Sequence, residues 1–65
     1  MLNTDKKYIA REVDRALVND QMTHEVEATC RRRAADYAQT FISADELPEF
    51  DAYVDEVIAK YWELN

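Results

Sequence analysis

The chain has 65 residues, of which 48% are apolar and 34% charged, and its net charge is −6. That length makes one domain near the lower limit at which a single core holds a fold unaided, and the composition excludes the low-hydrophobicity, high-charge balance of a disordered chain. With no glycine and one proline, it disfavours tight hairpins, phosphate-cradling loops and sheets that need positive-φ turns, so an all-α fold is expected.

Asn3 or Thr4 is suited to cap a first helix, with Asp5 in its first turn, where a carboxylate favours the helix dipole. Ile9, Val13, Ala16 and Leu17 then fall on one side, with Ala10 at its edge, while Tyr8 and Val18 point elsewhere. The narrow stripe predicts a peripheral helix over residues 4–19, fraying at Asn19 and Asp20, which favour turns.

Residues 20–23 make the first connection, and Thr23 is placed to cap a second helix over 24–42. The apolar face of that helix is Val26, Cys30, Ala34, Tyr37 and Phe41; Glu25, Thr29, Arg32, Asp36 and Gln39 occupy the solvated side.

Ser43-Ala44-Asp45-Glu46 has the form of a capping box, in which hydroxyl and carboxylate each satisfy a backbone N–H. Pro48 costs a helical hydrogen bond and disfavours helical geometry at Leu47, so the expectation is a short helical turn at 44–47 and a new helix over 48–63. This last helix carries the longest seam: Leu47, Phe50, Val54, Val57, Tyr61 and Leu64, at alternating spacings of three and four. Tyr53 and Ile58 widen it to an arc of about 140°, the width of a core-facing side. The fold expected is a single-domain, small three-helix bundle, antiparallel where connections are short, with the last helix central.

Charge is divided along the chain. Residues 1–33 carry seven basic and six acidic side chains, whereas 34–65 carry one basic and eight acidic. The acidity belongs to the last helix, which argues against direct nucleic-acid or anionic-membrane binding and leaves open a basic protein partner. Asp45, Glu49, Glu56 and Glu63 lie within about 40° of one another on a helical wheel, while Asp51 and Asp55 flank the other side of the seam. Such carboxylates resemble the charge of a nucleic-acid backbone and suit a basic groove; the plainer reading is a solvated side that keeps a small protein soluble. Catalytic pairing has no support, because nothing suggests a cleft that would bury a carboxyl and raise its pKa. The chain is therefore expected to be non-enzymatic.

A second stripe, Pro48, Ala52, Asp55, Ala59 and Trp62, runs along the side of the last helix away from its seam. Small residues there allow another backbone to approach, with Trp62 as an anchor; alternatively Trp62 closes the bundle against the first helix. Arg31, Arg32 and Arg33 point about 100° apart on a helix and form no single patch. Glu27 and Asp36 stand four residues from Arg31 and Arg32, and Arg33 borders the apolar face, from which its head is expected to reach a carboxylate of the last helix.

His24 and Cys30 are too few for a zinc site and about 120° apart, so neither a metal centre nor a Cys–His nucleophile is expected. Cys30 reads as a small buried hydrophobe and His24 as an exposed first-turn residue. Tyr37, Phe41, Phe50 and Tyr61 fall on core faces without a cationic groove, which disfavours base stacking. The lone cysteine gives no sign of an oxidising compartment, and neither a signal-peptide core nor a membrane-length apolar run is present, so a soluble cytoplasmic protein is the expectation. The functional expectation is a small acidic regulator or inhibitor without cofactor, docking on a larger intracellular protein through the last helix. The alternative is a structural homodimer or small accessory subunit joined through Ala52, Ala59 and Trp62.

Overall fold

A computed structural model describes residues 2–64 of the chain. It contains three α-helices, α1 (Asn3–Ala16), α2 (His24–Phe41) and α3 (Leu47–Leu64), with a 3-10 turn at Ala44–Glu46 leading into α3. The all-α three-helix bundle expected from composition and periodicity is the observed architecture. Contacts of Asp5 with Tyr37 and of Glu12 with Arg33 set α1 and α2 antiparallel, and Arg31–Asp55 and Glu27–Trp62 do the same for α2 and α3. Lys6 beside Tyr53 and Asp14 beside Tyr61 then make α1 and α3 parallel.

Leu2, not Asn3 or Thr4, stands at the cap of α1. Its backbone N–H donates to Asp5 Oδ2 at 3.2 Å, the half of a capping box that a carboxylate three residues into the helix supplies. Asp5 is buried, and its other oxygen accepts from the Tyr37 hydroxyl. A residue expected only to complement the helix dipole thus ties two helices together.

Helix α1 ends at Ala16, short of the expected residue 19, because Leu17 turns to extended geometry at ψ 140°. Val18 and Gln21 form an isolated antiparallel bridge, with the Gln21 N–H donating to the Val18 carbonyl at 3.1 Å. Between them Asn19 and Asp20 both take the left-handed region, at φ 55° and 59°. Absence of glycine had argued against a tight positive-φ turn; Asn and Asp, whose short side chains tolerate this region, make one. Met22, in the same connection, is buried in the core and belonged to no helical stripe.

Thr23 caps α2 as expected, its Oγ1 accepting from the Val26 N–H at 3.1 Å. The buried line of α2 is Val26, Cys30, Ala34 and Ala38, continued by Ile42 just beyond the helix. Steps of four drift by about 40° each, so this line winds around α2, carrying Ala38 and Ile42 inward. Phe41, assigned to the core face by the sequence, is instead 66% exposed, and Tyr37 is half-buried. Tyr8, expected to point away, is half-buried and stacks on Tyr37 at 4.0 Å.

Leu47 is helical, with φ −55° and ψ −44°, although it precedes Pro48. A proline in the first turn lacks only an N–H that no helical carbonyl would receive, which is why α3 begins without a break. The Ser43 hydroxyl donates to Glu46 Oε1 at 3.3 Å in place of capping a backbone N–H. Phe50, Val54, Val57 and Ile58 of α3 are buried, with Phe50 the largest of the fully buried side chains. Tyr53 and Tyr61 pack at the core's edge, whereas Leu47 and Leu64 at the ends of the seam are exposed. Ile9 and Val13 supply the face of α1, and the small Cys30, Ala34 and Ala38 let the helices approach closely.

Candidate docking surface on the third helix

The side of α3 away from its buried face presents Glu49, Ala52, Glu56, Ala59 and Glu63, all exposed. Seven residues make nearly two full turns, so Glu49, Glu56 and Glu63 form a line with carboxylates about 10.5 Å apart along the axis. Asp45, in the 3-10 turn, is exposed just before this line. Lys6 of α1 reaches into the same region and stands 5.6 Å from the Tyr53 ring centre; Lys6, Glu49, Ala52, Tyr53 and Glu56 together line a shallow depression.

Asp51 and Asp55 lie on the other flank, facing α2 across a groove lined also by Arg31, Ala34 and Phe50. Asp55 Oδ1 accepts from Arg31 Nη1 at 2.7 Å, and Arg31 Nε donates to Glu27 at 2.9 Å. The sequence expected Arg31 to pair with Glu27 and Arg33 to reach α3. Instead Arg31 does both, and Arg33 turns to Glu12 of α1 at 3.3 Å. The antiparallel register decides this, placing Arg31 opposite Asp55 and Arg33 opposite Glu12. Asp55 is thereby engaged within the chain.

Trp62 is 37% exposed and closes the bundle against α2, not α1. Its indole N–H donates to Glu27 Oε1 at 2.7 Å, and its ring lies 5.2 Å from His24. The Trp62 hydrogen bond, with that of Arg31, holds the Glu27 carboxyl below its ordinary pKa. One edge of the expected anchor is thus committed inside the molecule, while Ala52 and Ala59 stay exposed beside it.

Elsewhere, burial raises the pKa of the Cys30 thiol, and Cys30 is buried while His24 is exposed. Tyr37 and Tyr61 donate to Asp5 and Asp14, and each hydrogen bond helps push the phenol up to about 12. Among the described residues no group of three or more His, Cys, Asp or Glu side chains is arranged to hold a metal, and no helix is long and apolar enough to cross a membrane.

The sequence reading missed a second surface, where Lys7 and Arg11 of α1 border a groove with Leu2, Tyr8, Tyr37 and Phe41. Its signal lies in the one-turn spacing of Lys7 and Arg11 beside Tyr8, but helical periodicity alone assigns Tyr37 and Phe41 to the core. Compared with known protein families, curated proteins and solved structures, the chain matches none.

Proposed function

We propose that this protein is a non-catalytic binding module that docks on a basic surface of a larger protein through the acidic side of α3. The observation that supports it is the exposure of Asp45 in the turn before α3 and of Glu49, Asp51, Glu56 and Glu63 on the two flanks of α3, beside the small Ala52 and Ala59. Carboxylates so arranged attract a cationic partner over a range of about 8–10 Å and give an association that weakens with salt. Small alanine side chains leave room for the partner's backbone or for long Lys and Arg stems between the glutamates.

In its sharper form, the partner surface is a groove that ordinarily holds a nucleic acid. From Asp45 to Glu63 seven carboxylates, Glu46 and Asp55 included, span about 27 Å, or one per about 3.9 Å, against one phosphate per about 3.4 Å along a duplex strand. The charge per unit length is similar; the carboxylates divide between two flanks, so the likeness is to a polyanion's field and not to its register. Replacing Glu49, Glu56 and Glu63 with glutamine tests the reading: weakened binding to the captured partner is expected, and unchanged affinity would refute it.

A further inference from the structure

The groove between the first half of α1 and the last turns of α2 differs in chemistry from the rest of the molecule. Half-buried Tyr8 and Tyr37 lie within it, Leu2 and Phe41 extend its apolar surface at 70% and 66% exposure, and its volume is about 520 Å³. Lys7 and Arg11, one helical turn and about 6 Å apart, stand on its border. We propose that this groove docks a short acidic segment of a partner polypeptide, whose apolar side chains cover Leu2, Tyr8 and Phe41 while its carboxylates meet Lys7 and Arg11.

Charge selects this occupant. Arg15, Arg31 and Arg33 are each in ion pairs, whereas Lys7 and Arg11 are in none among the described residues. Asp5 also borders the groove, but its two oxygens accept from the Leu2 N–H and the Tyr37 hydroxyl and it is buried. The groove therefore presents net positive charge in a chain whose total is −6. A segment with one or two carboxylates gains from Lys7 and Arg11, and two apolar side chains of the size of Leu2 and Phe41 are removed from water on binding.

A single-stranded nucleic acid fits less well. Tyr37 already has the Tyr8 ring at 4.0 Å and the Phe41 ring at 4.8 Å, so the aromatic stack is filled by its own members, and a polyanion meets the repulsion of the whole acidic chain. From the cap residue Leu2 to Arg11 is nine steps of helical rise, about 13.5 Å, which accommodates about four extended residues or about two and a half turns of helix. This surface lies apart from the acidic side of α3, so each site stands or fails separately; with both occupied, the chain bridges an acidic and a basic partner.

The test is a nuclear magnetic resonance titration of the full isotope-labelled chain with a short synthetic peptide alternating Leu and Glu. A Leu/Lys counterpart and an oligothymidylate serve as comparison probes. The expected result is that the Leu/Glu peptide shifts the amides of Lys7, Tyr8, Arg11, Tyr37 and Phe41, and that K7E/R11E weakens it by about tenfold or more. F41S, at an exposed position, weakens it as well, while K60E, which adds negative charge on α3, leaves it unchanged. The proposal is overturned if these amides do not move, if the Leu/Lys peptide or the oligothymidylate binds there as tightly, or if the groove signals respond to protein dilution alone, as a second copy would make them do.

Discussion

The Tyr37 hydroxyl of α2 donates to the buried Asp5 carboxylate in the first turn of α1, and Asp5 in turn accepts from the Leu2 backbone. One acidic side chain thus caps a helix and joins it to its neighbour. Tyr37→Phe leaves Asp5 with a buried oxygen short of its partner, and a loss of about 1–3 kcal/mol is expected. Tyr61→Phe, which releases the exposed Asp14, should cost less than about 1 kcal/mol, because water replaces the lost partner. Denaturant unfolding of the two variants ranks them; equal losses would contradict the distinction.

Both phenols are held protonated in the folded chain, at about 12, whereas unfolded tyrosines ionise near about 10. The folded state therefore binds these protons more tightly. Their contribution to stability is complete below about pH 10 and is lost as pH rises through about 12. Tyrosinate absorbance should show a late step near pH 12 in the wild type. That step should shrink in each single Phe variant and vanish in the double variant.

Glu27 works in the opposite direction. Hydrogen bonds from Trp62 and Arg31 lower its pKa, so its contribution is present above the ordinary carboxylate range and is lost as pH falls through its own folded value. Trp62 is the single tryptophan and reports the change directly. Its fluorescence should shift on acidification below the ordinary carboxylate range, and Glu27→Ala should give the shifted spectrum at neutral pH. Arg31→Ala, which removes two exposed ion pairs, to Glu27 and to Asp55, is expected to cost no more than about 2 kcal/mol.

Asp20 holds φ 59° without being glycine. Asp20→Gly relieves that geometry, and a gain of about 0.5–1 kcal/mol is expected, visible as a rise of several degrees in Tm. Asp20→Val should lower Tm, since a β-branched residue disfavours the left-handed region.

Phe50 is the largest fully buried side chain and packs where all three helices meet one core. Removing it as Phe50→Ala is expected to cost about 3–5 kcal/mol, comparable with the whole stability of a domain this small, so the variant should be largely unfolded by circular dichroism. Phe50→Leu should remain folded with a lower Tm.

The parts of the fold legible in the sequence were those governed by local chemistry. The three-four seam around Phe50, Val54 and Val57 placed α3, and Thr23 marked the start of α2 through its own hydroxyl. What escaped depends on register between helices. Nothing near Phe41 in the sequence says that the buried line winds from Ala38 to Ile42 and leaves the ring exposed, and nothing near Arg33 names Glu12, twenty-one residues away, as its partner. Trp62 illustrates the same limit: its helical position was readable, but its bond to Glu27 arises from the antiparallel packing of α2 and α3. The acidic line was legible because seven-residue spacing alone aligns Glu49, Glu56 and Glu63; the basic groove was not, because it combines residues of two helices.

The central proposal, docking through the acidic side of α3, is tested most directly by capturing partners from the source cell's extract with wild type and with E49Q/E56Q/E63Q, at low and high salt. Each captured protein is then purified and its affinity measured against both forms. The account predicts a basic partner that wild type binds at low salt, that high salt releases, and that the glutamine variant binds markedly more weakly. A partner held equally by both forms and indifferent to salt, or capture of only a second copy of this chain, would contradict it.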